Sequence, residues 1–382
     1  ILQQEGWVEA EVGRGTFVRG PVAPPEAPTP GLPEISPTYL PMPQEGDVLF
    51  APRLADLGQI DLIREALRDV AETEGVDTLL NYPSYERTRP LREALTGWIH
   101  GEVHGGVGAD DIVVTAGGQN AIVLSLQSTL SGDRPVVLVE ELHYPGIRRA
   151  AEVLRARPVG VPMDEKGLIP EALDQIAREE GAKVLVTMPE VHNPTCVVTP
   201  TDRREAIARV AERHGLNVVQ DDCYRMSYPT GPSYRKLLPD LGWYTSSLSK
   251  TITPALRMGY LVPPRGAVRQ VRRVLDANYF GLPSPMVALA SRLFRDPRFQ
   301  VLADAQKDLN RPMLEIAVTV LGRFDLGWSR GVPYLWPRLP AGWRESATVP
   351  AAAGDGFRLR PGAAVADPSA LARPALRAPA AL

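Results

Sequence analysis

Cysteine is nearly absent from this chain. Two in 382 residues, Cys196 and Cys223, exclude a disulfide framework, and with only 5 histidines they do not make a zinc cluster, so no metal is expected. An excess of one charge is also missing. The 42 Lys plus Arg against 45 Asp plus Glu leave a net −3, which offers no overall basic field for nucleic acid and no acidic bias towards disorder. No uninterrupted apolar run approaches the roughly 18 residues that cross a bilayer, and no charged-then-apolar secretory signal opens the sequence. A cytoplasmic chain without membrane contacts is the expectation. Hydrophobic residues at 44% and charged residues at 23% are those of a soluble globular protein.

Proline is present in excess, 38 of 382. Nine fall between Pro21 and Pro43, among small and polar residues with no helical or strand period. Proline fixes φ and removes an amide donor, so this stretch reads as an extended, semi-rigid linker. Before it, Val8-Glu9-Ala10-Glu11-Val12 alternates like a half-buried strand, Gly13-Arg14-Gly15 supplies a turn, and Thr16-Phe17-Val18 returns. An isolated hairpin is marginal in water, so residues 1–20 are either a hairpin packed on the main domain or a domain cut through.

Beyond the linker, Leu57, Ile60, Ile63, Leu67 and Val70 have helical spacing. Short β-rich runs follow at 112–115, 136–139, 183–187 and 216–220, with helices expected near 119–130, 146–156, 170–179 and 201–214. Further strands are expected at 243–247 and 257–262. Buried strands alternating with helices predict an α/β fold whose mostly parallel sheet is covered on both faces. From about residue 268 the pattern turns helical and then irregular, which suggests a second, smaller domain.

In such sheets ligands bind beyond the carboxyl ends of the strands. There, Thr115-Ala116-Gly117-Gly118-Gln119-Asn120 leads from a strand into a helix. Its glycines and free amides suit an anion, or make a plain tight turn. Asp221 and Asp222 end a strand, where they need a compensating cation unless the turn is solvated. Ser247-Leu248-Ser249-Lys250 places a lysine that partial burial would make nucleophilic, with Arg257 seven residues on; a surface lysine is the plainer reading. Asn193-Pro194 makes a turn whose amide can donate to a ligand.

Taken together, these segments resemble the fold-type I pyridoxal-phosphate enzymes of aminotransferase class I and II, over residues 47–377. The match through Ser247-Leu248-Ser249-Lys250 to Arg257-Met258-Gly259-Tyr260 is the most specific. Residues 1–20 resemble the wing of a GntR-type winged helix, and that arrangement ahead of an aminotransferase-like domain is similar to the MocR-type regulators. The resemblance implies a mostly parallel seven-stranded sheet with flanking helices plus a smaller α+β domain. It divides the chain into a wing remnant at 1–20, a linker at 21–46, the start of the small domain at 47–75, the large cofactor domain at 76–267, and the small C-terminal domain at 268–382.

It also implies roles. Lys250 would attach pyridoxal 5′-phosphate through its amine and move the proton at the substrate α-carbon. Asp221 would pair with the pyridine nitrogen, and Asn193 and Tyr224 with the ring's phenolic oxygen. Tyr144 would stack on the ring. Gly117, Gly118 and Gln119, with Ser247 and Arg257, would hold the phosphate. Tyr82 would enter a neighbouring subunit's phosphate site, implying a homodimer with shared active sites. The substrate carboxylate is assigned to Arg377, with Arg358 and Arg360 as competitors. Asp222 is expected to be structural.

Departures from the pattern are Cys196 where glycine is usual, no glycine in Phe50-Ala51-Pro52-Arg53, and few residues after Arg377. The implied function is amino-group transfer between an amino acid and a 2-oxo acid. A regulator sensing the vitamer or an amino acid, and a lyase or decarboxylase, are the alternatives. The expected recognition helix would lie upstream of Ile1, so DNA binding requires a complete winged helix there.

Overall fold

A computed structural model describes residues 8–11, 15–18, 54–224, 228–330, 332–340, 342–354 and 366. The chain forms two units, Ile1–Pro37 and Thr38–Leu382. In the first, strands β1 (Val8–Glu11) and β2 (Gly15–Val18) pair antiparallel with Val8 opposite Val18, as the alternation predicted.

The second unit is built on a seven-stranded sheet. Its strands are β3 (Val113–Thr115), β4 (Val136–Glu140), β5 (Arg157–Val161), β6 (Val184–Thr187), β7 (Asn217–Asp221), β8 (Gly242–Ser247) and β9 (Gly259–Val262). Their order is β3-β9-β8-β7-β6-β4-β5, and only β9 runs against its neighbours. The apolar runs form strands because both faces are covered. Helices α3 (Gly118–Thr129), α4 (Pro145–Val153), α5 (Pro170–Glu180) and α6 (Thr201–His214) make the connections.

Strand β5 is an addition to the sequence reading. Arg157-Pro158 opens it and breaks the apolar pattern, and as an edge strand it loses little from a missing amide.

Helix α1 (Gln59–Thr73) forms where the spacing placed it. Leu62, Ala66 and Val70 are buried, whereas Ile60 and Leu67 are 43% and 46% exposed. The i, i+4 row through the small Ala66 allows close approach to a neighbouring helix. This row shares one core with α2 (Arg89–Trp98), α8 (Ser284–Arg295) and residues Phe299 and Ala303 of α9 (Pro297–Leu321). Tyr244 and Tyr260 join that core from the sheet, so residues before and after the strands are welded to one of its faces. Helix α7 (Val268–Tyr279) covers the other face beside α3. After α9 the chain forms an antiparallel pair, β10 (Asp325–Gly327) and β11 (Trp336–Arg338), and helix α10 (Glu345–Gly354). Among the described residues no helix is long and apolar enough to cross a membrane.

A buried ion pair fixes the turn that follows β6. Arg204 of α6 is 0% exposed and Glu190 is 3% exposed, and they meet at 2.6 Å. Arg204 also donates to Thr199 O, Pro189 O and the Thr230 hydroxyl, while Glu190 accepts from Thr230 N. Removing one member leaves an uncompensated buried charge. Glu190→Ala is expected to cost about 3–5 kcal/mol in a urea unfolding curve, and the conservative Glu190→Gln less.

Candidate active site

The topology gathers the polar strand ends at one edge. Strands β3, β4, β6, β7 and β8 point the same way, so their carboxyl ends align, and the reversed β9 begins there. Thr115 pairs with Gly259, Gly259 with Ser247, and Thr245 with Asp221. The register therefore lines up the turn after β3, the loop between β8 and β9, and the carboxylate ending β7.

The turn into α3 is a tight glycine turn packed against a cation. Gly117 has φ +86°, and a Cβ on it would lie 2.6 Å from Arg257 Nη2. The guanidinium thus lies directly against the first turn of α3, where backbone amides point outward. At Gly118 a Cβ would lie 2.3 Å from Cys223 Sγ and 3.7 Å from Ser247 Oγ. Gly259 backs onto Gly117 so closely that a Cβ there would be 2.6 Å from the Gly117 carbonyl carbon. Asn120 closes the turn by accepting from Ala116 N at 3.0 Å and from the Tyr279 hydroxyl at 2.7 Å. Gln119 donates to Gly146 O at 2.7 Å, which ties this turn to the start of α4 beside Tyr144. Arg257 makes no ion pair among the described residues, so its charge is available to an anion.

Next to this glycine turn are an acid and an amine. Asp221 is buried, accepts from Cys223 N at 3.1 Å, and has no cationic partner among the described residues. Burial pushes its carboxyl pKa above the ordinary range. Asp222, also buried, accepts from the Tyr244 hydroxyl at 2.7 Å. Lys250 is half-buried. Burial, opposed by Cys223 and helped by Arg257, holds its amine below the usual lysine value. Its Nζ lies 5.1 Å from the ring centroid of Tyr224. A cleft of about 340 Å³ opens beside it, lined in part by Leu54, Ile60, Ile63, Asn310 and Pro333. Tyr144, at the start of α4, has its phenol pKa raised by burial and by the nearby Asp221.

Asn193 sits in the turn after β6, held by its neighbour His192. The Nε2 of His192 is 2.9 Å from Leu142 O and 3.3 Å from Glu140 Oε2, while Nδ1 is 2.7 Å from the Thr195 hydroxyl. Since Leu142 O can only accept, the ring hydrogen belongs on Nε2. Glu140 accepts from the Thr187 hydroxyl at 2.6 Å and from Met188 N. The sequence reading missed Glu140, His192, Cys223 and Tyr334. A charge ending an apolar strand and a histidine abutting Asn193 were the available signals.

Tyr82 stands apart from this group. It is 80% exposed and leans on Phe280 at 5.6 Å between ring centroids. Arg358, Arg360 and Arg377 lie outside the described residues, as do residues 50–53.

A family profile for aminotransferase class I and II matches residues 52–311. The chain belongs to that family. The chain is 27% identical over 293 residues to the 2-aminoadipate transaminase of Thermus thermophilus, covering 73% of this chain and 71% of that one. It is 26% identical over 347 residues to YdeF of Bacillus subtilis, described as an uncharacterized HTH-type transcriptional regulator, covering 89% of this chain and 71% of that protein. Of a second such regulator, YdfD of the same organism, it spans about half, 48%. Among solved structures it superposes on LysN, the alpha-aminoadipate aminotransferase of Thermus thermophilus complexed with N-(5′-phosphopyridoxyl)-L-leucine. That match has a TM-score of 0.74 and 24% identity over 84% of each chain, and it establishes the fold-type I architecture.

Pyridoxal phosphate is the cofactor of this family, and the residues of this chain fit it. A buried carboxylate without a cation suits a protonated ring nitrogen. A guanidinium without a carboxylate, set against a helix N-terminus, suits a phosphate.

Proposed function

We propose that the chain transfers amino groups between an amino acid and a 2-oxo acid, using pyridoxal phosphate held by the strand-end residues described above. One observation carries this reading. On neighbouring strand ends sit a buried carboxylate and a guanidinium over a glycine turn, neither with an ion-pair partner among the described residues, and a half-buried amine, which are three complements of one ligand. Gly117, Gly118 and Gln119, with Ser247 and Arg257, would bind the phosphate. Asp221 would hold the ring nitrogen in its charged form, Asn193 and Tyr224 the phenolic oxygen, and Tyr144 would cover a ring face. Bound there, the cofactor supplies an electron sink for the substrate α-carbon. Lys250, whose burial favours the neutral amine, takes and returns the α-proton. Arg377 is the proposed anchor of the substrate carboxylate.

The proposed domain division keeps the wing remnant at 1–20, the linker at 21–46, the large domain at 76–267 and the small domain at 47–75 and 268–382. Tyr82, exposed and aromatic, is proposed to reach a second copy's phosphate site, which makes the working unit a homodimer in the cytoplasm.

The test is a half-reaction. The pyridoxal-phosphate-loaded chain is mixed with single amino acids, and both the visible absorption and 2-oxo acid formation are followed. Loss of colour with one equivalent of 2-oxo acid per site is expected for at least one amino acid. The β1–β2 hairpin and the likeness to YdeF favour a second reading, a regulator whose aminotransferase domain senses the vitamer or an amino acid. Retained cofactor with no discharge by any amino acid favours that reading. Release of ammonia or carbon dioxide points instead to a lyase or decarboxylase.

A further inference from the structure

Three contacts pin the β10–β11 pair to the turn that carries Asn193. Gly327 comes so near that a Cβ there would lie 2.4 Å from Thr195 O. The thiol of Cys196 is 3.8 Å from Tyr334 O. The Tyr334 hydroxyl donates to His192 O at 3.3 Å. The ring of Tyr334 also meets Tyr224 edge to face, with centroids 5.2 Å apart at 84°. Tyr334 therefore contacts the backbone beside Asn193 with its hydroxyl and Tyr224 with its ring.

We infer that Tyr334 is a positioning residue for the cofactor's phenolic oxygen, aligning the two groups, Asn193 and Tyr224, that hold it. This rests on the proposed reading of those two side chains. The hydroxyl bond to His192 O sets the height of the Asn193 turn, which His192 also clamps to Leu142 O and Glu140. The edge-to-face contact sets the tilt of Tyr224, whose face lies towards Lys250. Aromatic pairs prefer this geometry to a face-to-face sandwich. Donors aimed at the phenolic oxygen draw negative charge off it. When they are misaligned, the oxygen keeps more charge and grips the adjacent proton more tightly, so the pH midpoint of the cofactor's colour change rises.

Tyr334→Phe removes the hydroxyl and keeps the ring, and Tyr334→Ala removes both. A pH titration of the visible band in the loaded chain, with the dissociation constant for pyridoxal phosphate, reads the effect. Tyr334→Phe is expected to raise the midpoint by about half a pH unit, the size of one modest hydrogen bond. Tyr334→Ala is expected to raise it further and weaken cofactor binding roughly tenfold. Arg338→Ala serves as the control. It breaks the exposed ion pair with Asp325 across the same hairpin, 2.7 Å long, and is expected to leave the midpoint in place. An unmoved midpoint in Tyr334→Phe overturns the inference, as does an equal shift in Arg338→Ala. A wild-type chain that takes up no pyridoxal phosphate overturns the reading beneath it, and this inference too.

Discussion

Lys250→Ala abolishes the visible absorption of covalently held pyridoxal phosphate and lowers amino-group transfer by at least the ~10²–10⁴-fold that a positioned acid–base group contributes. The loop between β8 and β9 places this amine beside the cleft, half-buried and unpaired among the described residues, so its neutral form is favoured. No other described lysine borders that cleft. The cofactor should still bind non-covalently, because Arg257, the Gly117 turn and Asp221 are untouched. Equilibrium dialysis then separates loss of attachment from loss of binding. Covalent colour that survives the substitution would show that a different amine holds the vitamer. The lysine leaves a pH signature as well. Its folded-state pKa is lowered, so the unfolded chain binds the extra proton in the window between the lowered and ordinary values. Stability of the cofactor-free chain therefore rises with pH across that window, and Lys250→Ala flattens the slope.

Asp221→Asn is expected to slow transfer by about 10²–10³-fold, the usual loss when one charge aimed at the reacting system is removed. It should also stabilise the cofactor-free chain by about 1 kcal/mol. Both effects come from one fact: the carboxylate is buried, accepts from the Cys223 amide, and has no cationic partner among the described residues. Its pKa is raised, so between the ordinary carboxylate range and the raised value the folded chain holds a proton that the unfolded chain has lost. Stability falls as pH rises through that window. The gain from asparagine should therefore appear at neutral pH and vanish in strong acid. Urea curves at the two pH values, beside single-turnover rates on the loaded chain, measure both. A variant that is less stable at neutral pH would mean that Asp221 is already compensated.

The central sheet was legible because its strands are short valine-rich runs separated by amphipathic helices. Runs predicted at 136–139 and 183–187 are observed as Val136–Glu140 and Val184–Thr187. The outermost strand was not legible, since Arg157 and Pro158 look like a loop until the edge position excuses them. In α1 the spacing announced a helix but not its packing: Ile60 and Leu67, large and apolar, stay partly exposed, while the small Ala66 is buried between Leu62 and Val70. Site residues at strand ends, Asp221, Asn193 and Lys250, announce themselves as polar groups interrupting buried runs. Tyr334 gives no such notice. It is one aromatic in an irregular stretch, and its importance depends on which turn it lands against, a contact 142 positions away in the chain.

The reversed strand β9 has a mechanical result. Ser247 and Gly259 face each other across the mouth of the loop, and Leu248 N reaches Met258 O at 3.1 Å just inside it. Lys250 and Arg257 therefore ride on a single closed bracket, like the two jaws of a caliper soldered at the hinge. The ladder bonds at its mouth fix the base from which both the proposed attachment amine and the proposed phosphate guanidinium project, so the span between them is set by this one loop.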